Sequence, residues 1–241
     1  MKKPTLVWAR GVERDLLDLP APLDLEALLP GPELPWEAEI GFGKGRYLLR
    51  RAGEEPGGRF LGVEIVSQYY RMARDRAAKR GLENLAVVRG DALFLMITAL
   101  GSAWASAVHV YFPDPWPKDR HHKRRLFDPE TVDLVLGMLR PGGTLWFASD
   151  FLEYGALVRE ILANHPAVQL AEVNEPWSDG ARTNYEAKFI EEGRPIIRLA
   201  ATRRREFRGA LLHPAGREGV VVANREPGNR DSRAAAAPRS G

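Results

Sequence analysis

From residue 36 onward the chain alternates between two hydrophobic rhythms. "WEAEIGFG" and "RFLGVEI" are compact apolar runs of the kind buried on both faces of a sheet, and "KGRYLLRRAG" between them has helical spacing, closed by Gly53. "SQYYRMARDRAAKRGLENL" predicts a helix with Ser67 as N-cap and Gly81 as its stop. "LAVVRGDA", "SAVHVYF" and "GTLWFASD" predict a third, fourth and fifth strand. "DPETVDLVLGMLRPGG" predicts the helix before the fifth strand, capped by Asp128 with Pro129 in its first turn, and "EYGALVREILANH" predicts another. Strands alternating with helices of this length imply βαβ units and a parallel sheet wound on both faces.

The two ends break the rhythm. Residues 1–35 are rich in Pro and Leu without a clear period, which predicts an irregular arm or lid. "TNYEAKFIEEGRPIIRLAATR" holds two strand-like runs across "EEGRP", too close for a crossover helix, and predicts an antiparallel hairpin closing the sheet. The organisation expected is therefore an arm over 1–35, a domain over 36–202 and a partly ordered basic extension over 203–241.

Composition removes several chemistries. With no cysteine among 241 residues, there is no thiolate nucleophile, disulfide, Cys-bound zinc or cysteine-held iron–sulfur cluster. The adjacent His121 and His122 lack acids at metal-ligand spacing, so no metal is expected, and His109 inside a strand is expected to be a satisfied core residue. No apolar run approaches the ~18 residues needed to span a bilayer, and the start lacks an apolar secretory core, so a cytoplasmic protein is expected. Net charge is +3, but residues 201–241 alone carry nine Arg and four acids, leaving the body at −2. Local basic patches on such a body suit a nucleic-acid partner gripped at particular places.

The polar residues at the strand ends carry the chemistry. "EIGFGKG" places Gly41, Gly43 and Gly45 directly after the first strand, where glycine permits a tight turn and a close ligand approach. The third glycine of a dinucleotide fingerprint is replaced by Arg46, which argues against a pyrophosphate-bridged cofactor. Glu39 precedes the loop, Glu64 ends the second strand and Asp91 ends the third, all at the carboxyl edge where doubly wound sheets bind ligands. An acid closing the second strand suits ribose hydroxyls, one beside the third suits an exocyclic amine, and Glu39 suits a cationic amino-acid moiety. This pattern resembles the class I S-adenosylmethionine-dependent methyltransferases. The resemblance implies a Rossmann-like, doubly wound seven-stranded sheet, mostly parallel with a C-terminal antiparallel hairpin, and S-adenosyl-L-methionine as cofactor.

After the fourth strand comes "FPDPWPKDRHHKRRL". Asp114 stands between Pro113 and Pro115, whose fixed φ stiffens the loop. Trp116 is placed to stack on a base, worth roughly 1–3 kcal/mol in single-stranded recognition. Lys118, Arg120, Lys123, Arg124 and Arg125, less Asp119, give a local charge of +4 suited to a nucleic-acid backbone. With "EIGFGKGRYLL", "FLGVEI", "NLAVVRGDA", "PGGTLWFASDFLEY" and "RTNYEAKF", this stretch resembles the bacterial single-chain tRNA (guanine-N(7)-)-methyltransferase family over roughly residues 36–200. It departs from the family's common pattern at Pro117, where a His before the Lys is usual.

The resemblance implies methylation of tRNA at N(7) of the guanosine at position 46 in the variable loop. It assigns Glu39, Glu64, Asp91 and Asp114 to the cofactor, with the glycine loop, and Asp114 also to catalysis. Lys118, Asp150 and the run Thr183, Asn184, Tyr185 and Glu186 are assigned to the substrate. Two other readings stay open: methylation of an exocyclic amine on a nucleic acid, whose usual Pro-Pro-aromatic turn is split here by Asp114, and a catalytically silent RNA-binding subunit. Either a monomer or a homodimer is compatible with the chain.

Overall fold

In the computed structural model, residues 6–30, 36–174, 177, 178, 180–209 and 211 are described. In chain order the elements are β1 (Leu6–Ala9), β2 (Val12–Asp15), α1 (Leu25–Leu28), β3 (Trp36–Ile40), α2 (Arg46–Glu54), β4 (Arg59–Glu64), α3 (Ser67–Lys79), β5 (Leu85–Arg89) and α4 (Ala92–Thr98). They continue with β6 (Ala105–Tyr111), α5 (Pro129–Met138), β7 (Leu139–Ser149), α6 (Leu152–Ala163), β8 (Val168–Glu172), α7 (Asn184–Glu191) and β9 (Ile197–Arg203). The sheet order is β2-β1-β5-β4-β3-β6-β7-β9-β8. Its centre, β5-β4-β3-β6-β7, is parallel, and each edge carries two antiparallel strands.

The strands alternate sides with period two, and both sides are covered. Leu61, Val63, Ala86 and Val88 face a core filled by Leu95 and Met96 of α4, Val132 and Val135 of α5, and Val158 and Leu162 of α6. Phe60, Leu85 and Val87 face the other way, onto Leu48, Leu49 and Ala52 of α2 and Tyr70, Ala73 and Ala77 of α3. Burial on both faces is why these strands read as nearly continuous apolar runs.

The expected doubly wound sheet is present, with three local differences. The arm is not wholly irregular: β1 and β2 form a hairpin, and β1 pairs antiparallel with β5, extending the seven strands to nine. Arg10 and Gly11 both have positive φ (52° and 76°), which suits a two-residue hairpin turn whose twist matches its strands. The C-terminal end of the sheet is antiparallel, but the expected hairpin across "EEGRP" is not formed: "TNYEAKFIE" is the helix α7, and β9 pairs with β8 ahead of it. Thr183 caps that helix, its Oγ1 accepting the Glu186 N–H at 2.9 Å; the Thr-x-x-Glu spacing is the readable signal. Finally, Gly53 lies inside α2, and Val66 rather than Ser67 occupies the N-cap of α3.

The start of the basic extension is built into the body. Arg203 donates to the Leu136 and Leu139 carbonyls, Arg204 Nε donates to the Val168 carbonyl at 3.0 Å, and Leu211 is buried in the main core. The rest of the extension, residue 210 and residues 212–241, lies outside the described residues.

Candidate active site

The sheet changes winding direction between β3 and β6, and the loops at the carboxyl ends of β3, β4 and β6 open beside that point. Gly43 has φ +53°, and a Cβ built there or on Gly41 meets nothing within 4 Å. The loop is therefore an open backbone cradle. Its N–H at Gly43 donates to Glu64 Oε2 at 2.8 Å, while Glu64 Oε1 accepts the Val66 N–H at 2.8 Å.

Glu39 is buried (2% exposed), and its Oε2 accepts the Leu48 N–H in the first turn of α2 at 3.0 Å. The N-cap of α2 is Gly45, which has no side chain to offer, so Glu39 supplies the cap from the neighbouring strand. Burial pushes the Glu39 carboxyl up to about 8; the Leu48 hydrogen bond opposes this, Glu64 adds to it and the Arg182 charge opposes it. Burial also raises Glu64, against its backbone hydrogen bonds, and Asp114 raises it further. Glu39, Glu64 and Asp114 thus share one electrostatic neighbourhood, a fit for a cationic ligand. Asp91 is exposed at the end of β5, where its Oδ1 accepts the Phe94 N–H at 3.0 Å as the cap of α4.

The cofactor implied by these acids can be tested against the residues present. S-Adenosylmethionine needs room above the glycine loop, carboxylates for a ribose and an ammonium group, and no phosphate cradle. The open positions above Gly41 and Gly43 and the convergent acids meet those needs. Exposed Ile65 and Val66, directly after Glu64, add apolar surface at the same rim. The donor set fits.

Asp114 is exposed on a loop that leaves β6 through Phe112, whose φ is +52°. Beyond it, Lys118 and a single 3-10 turn over Asp119–Arg124 present Lys118, Arg120 and Lys123 outward. Two members of the basic run behave otherwise. Arg125 is buried (4% exposed); it donates to the Pro115 carbonyl at 2.7 Å and to both oxygens of Glu153 at 2.8 and 3.2 Å, and lies over the Tyr154 ring. Its donors hold the loop to α6, so the structure turns inward a side chain expected to meet phosphates. Arg124 lies 4.9 Å from the Trp116 ring centroid, and His121 meets the same ring edge-on at 5.7 Å, so intramolecular partners already flank the tryptophan expected to stack on a base.

The run Thr183–Glu186, expected to contact substrate, is joined to the start of α2, where Arg46 Nη1 donates to Asn184 Oδ1 at 3.4 Å. Tyr185 is 59% exposed and stacks on Phe189, which packs against Phe112 ahead of Asp114. Asp150, at the end of β7, accepts from Arg194 Nη2 at 2.5 Å. Glu186, assigned to the substrate by the resemblance, faces inward. It is fully buried, one oxygen taken by Arg198 Nε at 2.8 Å and the other by the Arg182 N–H at 2.8 Å. Its carboxylate anchors α7 from inside.

His109 is satisfied in the core, with Nδ1 2.8 Å from the Tyr111 hydroxyl and Nε2 3.4 Å from Glu37. Among the described residues no group of three or more His, Asp or Glu could hold a metal ion, and no helix is long and apolar enough to cross a membrane. Sequence reasoning missed Arg182, Tyr47 and Tyr111 around the site. Only the position of Arg182 beside the "TNYE" run hinted at a role.

A family model described as "Putative methyltransferase" matches residues 33–199. A curated tRNA (guanine-N(7)-)-methyltransferase from Nitrosococcus oceani is 36% identical over 158 residues, covering 66% of this chain and 67% of the relative. One from Bordetella pertussis is 39% identical over 179 residues, covering 73% and 70%. Among solved structures, the 16S rRNA methyltransferase KamB aligns with a TM-score of 0.56 at 15% identity, covering 82% of this chain and 98% of that one. A 16S rRNA (adenine(1408)-N(1))-methyltransferase from Catenulisporales acidiphilia, solved with its cosubstrate SAM, aligns with a TM-score of 0.55 at 19% identity over 85% and 99%. At such identities the structural matches speak for the fold.

Proposed function

Because the chain belongs to the tRNA (guanine-N(7)-)-methyltransferase family, we propose that it methylates N(7) of a guanosine in tRNA, position 46 of the variable loop, giving 7-methylguanosine. The observation that carries the reading is the convergence of Glu39, Glu64 and Asp114 on one open glycine cradle beside the start of α7. S-Adenosyl-L-methionine, when bound there, supplies a methyl group made electrophilic by its cationic sulfur.

The guanine N(7) lone pair lies in the ring plane and carries no proton, so no general base is needed before attack. What the chain contributes is orientation and charge, and orientation alone supplies up to ~7–11 kcal/mol of a bimolecular barrier. Asp114 positions the guanine and stabilises the positive charge gathering on its ring. Asp150 accepts from the two adjacent N–H donors of the Watson–Crick edge, exchanging Arg194 for the base. Tyr185 and the Phe189–Phe112 wall offer the stacking surface, while Lys118, Arg120 and Lys123 grip phosphates. The protein acts on tRNA in the cytoplasm, as a monomer or homodimer.

Incubation with labelled methyl donor and unmodified tRNA, followed by nucleoside analysis, tests this. Label in 7-methylguanosine supports it, with loss of labelling when the guanosine at position 46 is replaced. Label on an exocyclic amine, or tight tRNA binding with no cofactor affinity, would replace it with one of the other two readings.

A further inference from the structure

Arg182 stands directly before the Thr183–Glu186 run, and its surroundings come from four separate parts of the chain. The guanidinium carbon is 4.1 Å from the ring centroid of Trp177, 5.1 Å from Trp146 in β7, 5.2 Å from Tyr47 in α2 and 5.7 Å from Tyr111 at the end of β6. Arginine suits such a cage because its flat, weakly hydrated cation stacks on ring faces while its edge still donates hydrogen bonds.

That edge begins a chain of polar contacts. Arg182 Nη1 donates to the Tyr111 hydroxyl at 2.6 Å, and that hydroxyl lies 2.8 Å from His109 Nδ1. His109 Nε2 faces Glu37 Oε2 at 3.4 Å, while Glu37 Oε1 accepts from Arg51 at 2.9 Å. Arg182 thus enters the series at one end and Arg51 at the other. Arg51 and Tyr47 belong to α2, Glu37 and the cofactor acid Glu39 to β3, and Tyr111 to the strand that launches the Asp114 loop. At the other side, the Arg182 backbone N–H and Arg198 hold Glu186, the internal anchor of α7.

We propose that Arg182 is a positioning residue: held by its aromatic cage and by Tyr111, it keeps the start of α7, and so Thr183, Asn184 and Tyr185, in register with the cofactor rim. Arg182 reaches the tRNA only through that segment. The inference rests on the reading of Thr183–Tyr185 as tRNA-contacting. Lysine at 182 keeps the charge but loses the stacking plane and the fork; phenylalanine at 111 keeps the cage but cuts the chain at one oxygen.

The test uses the full chain with unmodified tRNA, comparing the parent with Arg182→Lys and Tyr111→Phe. It records kcat, the KM for tRNA, S-adenosylmethionine Kd by calorimetry and the melting temperature. The KM for tRNA rises about tenfold in Arg182→Lys, the equilibrium cost of one charge-assisted hydrogen bond, while cofactor Kd stays within about twofold. Tyr111→Phe moves KM in the same direction by a smaller factor, and it carries the test should Arg182→Lys fail to fold. A KM within about twofold of the parent in both variants overturns the inference, as does a fall in melting temperature with unchanged kinetics. Cofactor Kd weakening as much as KM overturns it in favour of a direct cofactor contact. A parent that leaves tRNA unmethylated is a different result, because it removes the functional reading itself.

Discussion

Gly43 donates its backbone N–H to Glu64 at 2.8 Å, so the glycine loop is folded back onto the acid that ends the next strand. The bond joins two elements 21 residues apart and needs the left-handed conformation that glycine adopts without strain. It also means that the cradle and its acid are organised before any ligand arrives, which lowers the cost of ordering them on binding.

The acids at this rim make stability depend on pH. Burial holds Glu39 near 8 against an ordinary 4.5 and raises Glu64 in the same direction. At these two carboxyls the folded protein therefore binds more protons than the unfolded chain, so their contribution to stability is fullest below the unfolded value and is lost as pH rises through about 8. The melting temperature of the ligand-free protein should decline between about pH 7 and pH 9, above the range in which buried His109, lowered by burial, works the other way, and Glu39→Gln should flatten the decline. Affinity for the cationic cofactor should rise over the same range in the parent. A melting temperature climbing over that range would contradict this account.

The basic run divides into two kinds of arginine. Arg120→Ala should lower the slope of tRNA affinity against salt by about one unit, as expected of a phosphate contact. Arg125→Ala should leave the slope unchanged and reduce stability by about 1–3 kcal/mol, because it strips the Pro115 carbonyl and Glu153 of their donor. Salt titrations of binding and denaturant melts separate the two.

Asp114→Asn keeps the shape of the loop side chain and removes its charge. Turnover should fall by about 10²-fold, the scale of losing one electrostatic contact to a transition state, with cofactor affinity reduced far less. Near-normal turnover would remove Asp114 from the chemistry.

Tyr185 is more exposed than Trp116 and leads into the aromatic wall ahead of Asp114. Tyr185→Ala should weaken substrate binding by roughly 1–3 kcal/mol, with Tyr185→Phe close to the parent, as stacking requires. Competition binding with unmodified tRNA measures both.

Gly62 in β4 shows where packing admits no side chain. A Cβ there would lie 2.7 Å from Phe42 Cδ1 and against Leu48 of α2. Gly62→Ala should therefore cost about 1–3 kcal/mol, read from urea melts, by forcing α2 away from the sheet.

Much of this protein was determined by sequence alone. The alternation of apolar runs specifies the wound parallel sheet, and the placement of Glu39, Glu64 and Asp91 at strand ends, with Asp114 after the fourth strand, specifies the rim. These features are local, since period and strand end are written within a few residues. Tertiary structure decided the rest. "LVWARGVERD" becomes a hairpin only because β5 offers it an edge. Arg125 and Glu186, each in a polar motif, turn inward because Glu153 lies 28 residues away from the first and Arg198 12 from the second, and folding brings them within reach. The cage around Arg182 draws rings from positions 47, 111, 146 and 177, and no periodicity connects them. Which partner a buried charge finds depends on how the layers pack, and the packing exists only once the chain has folded.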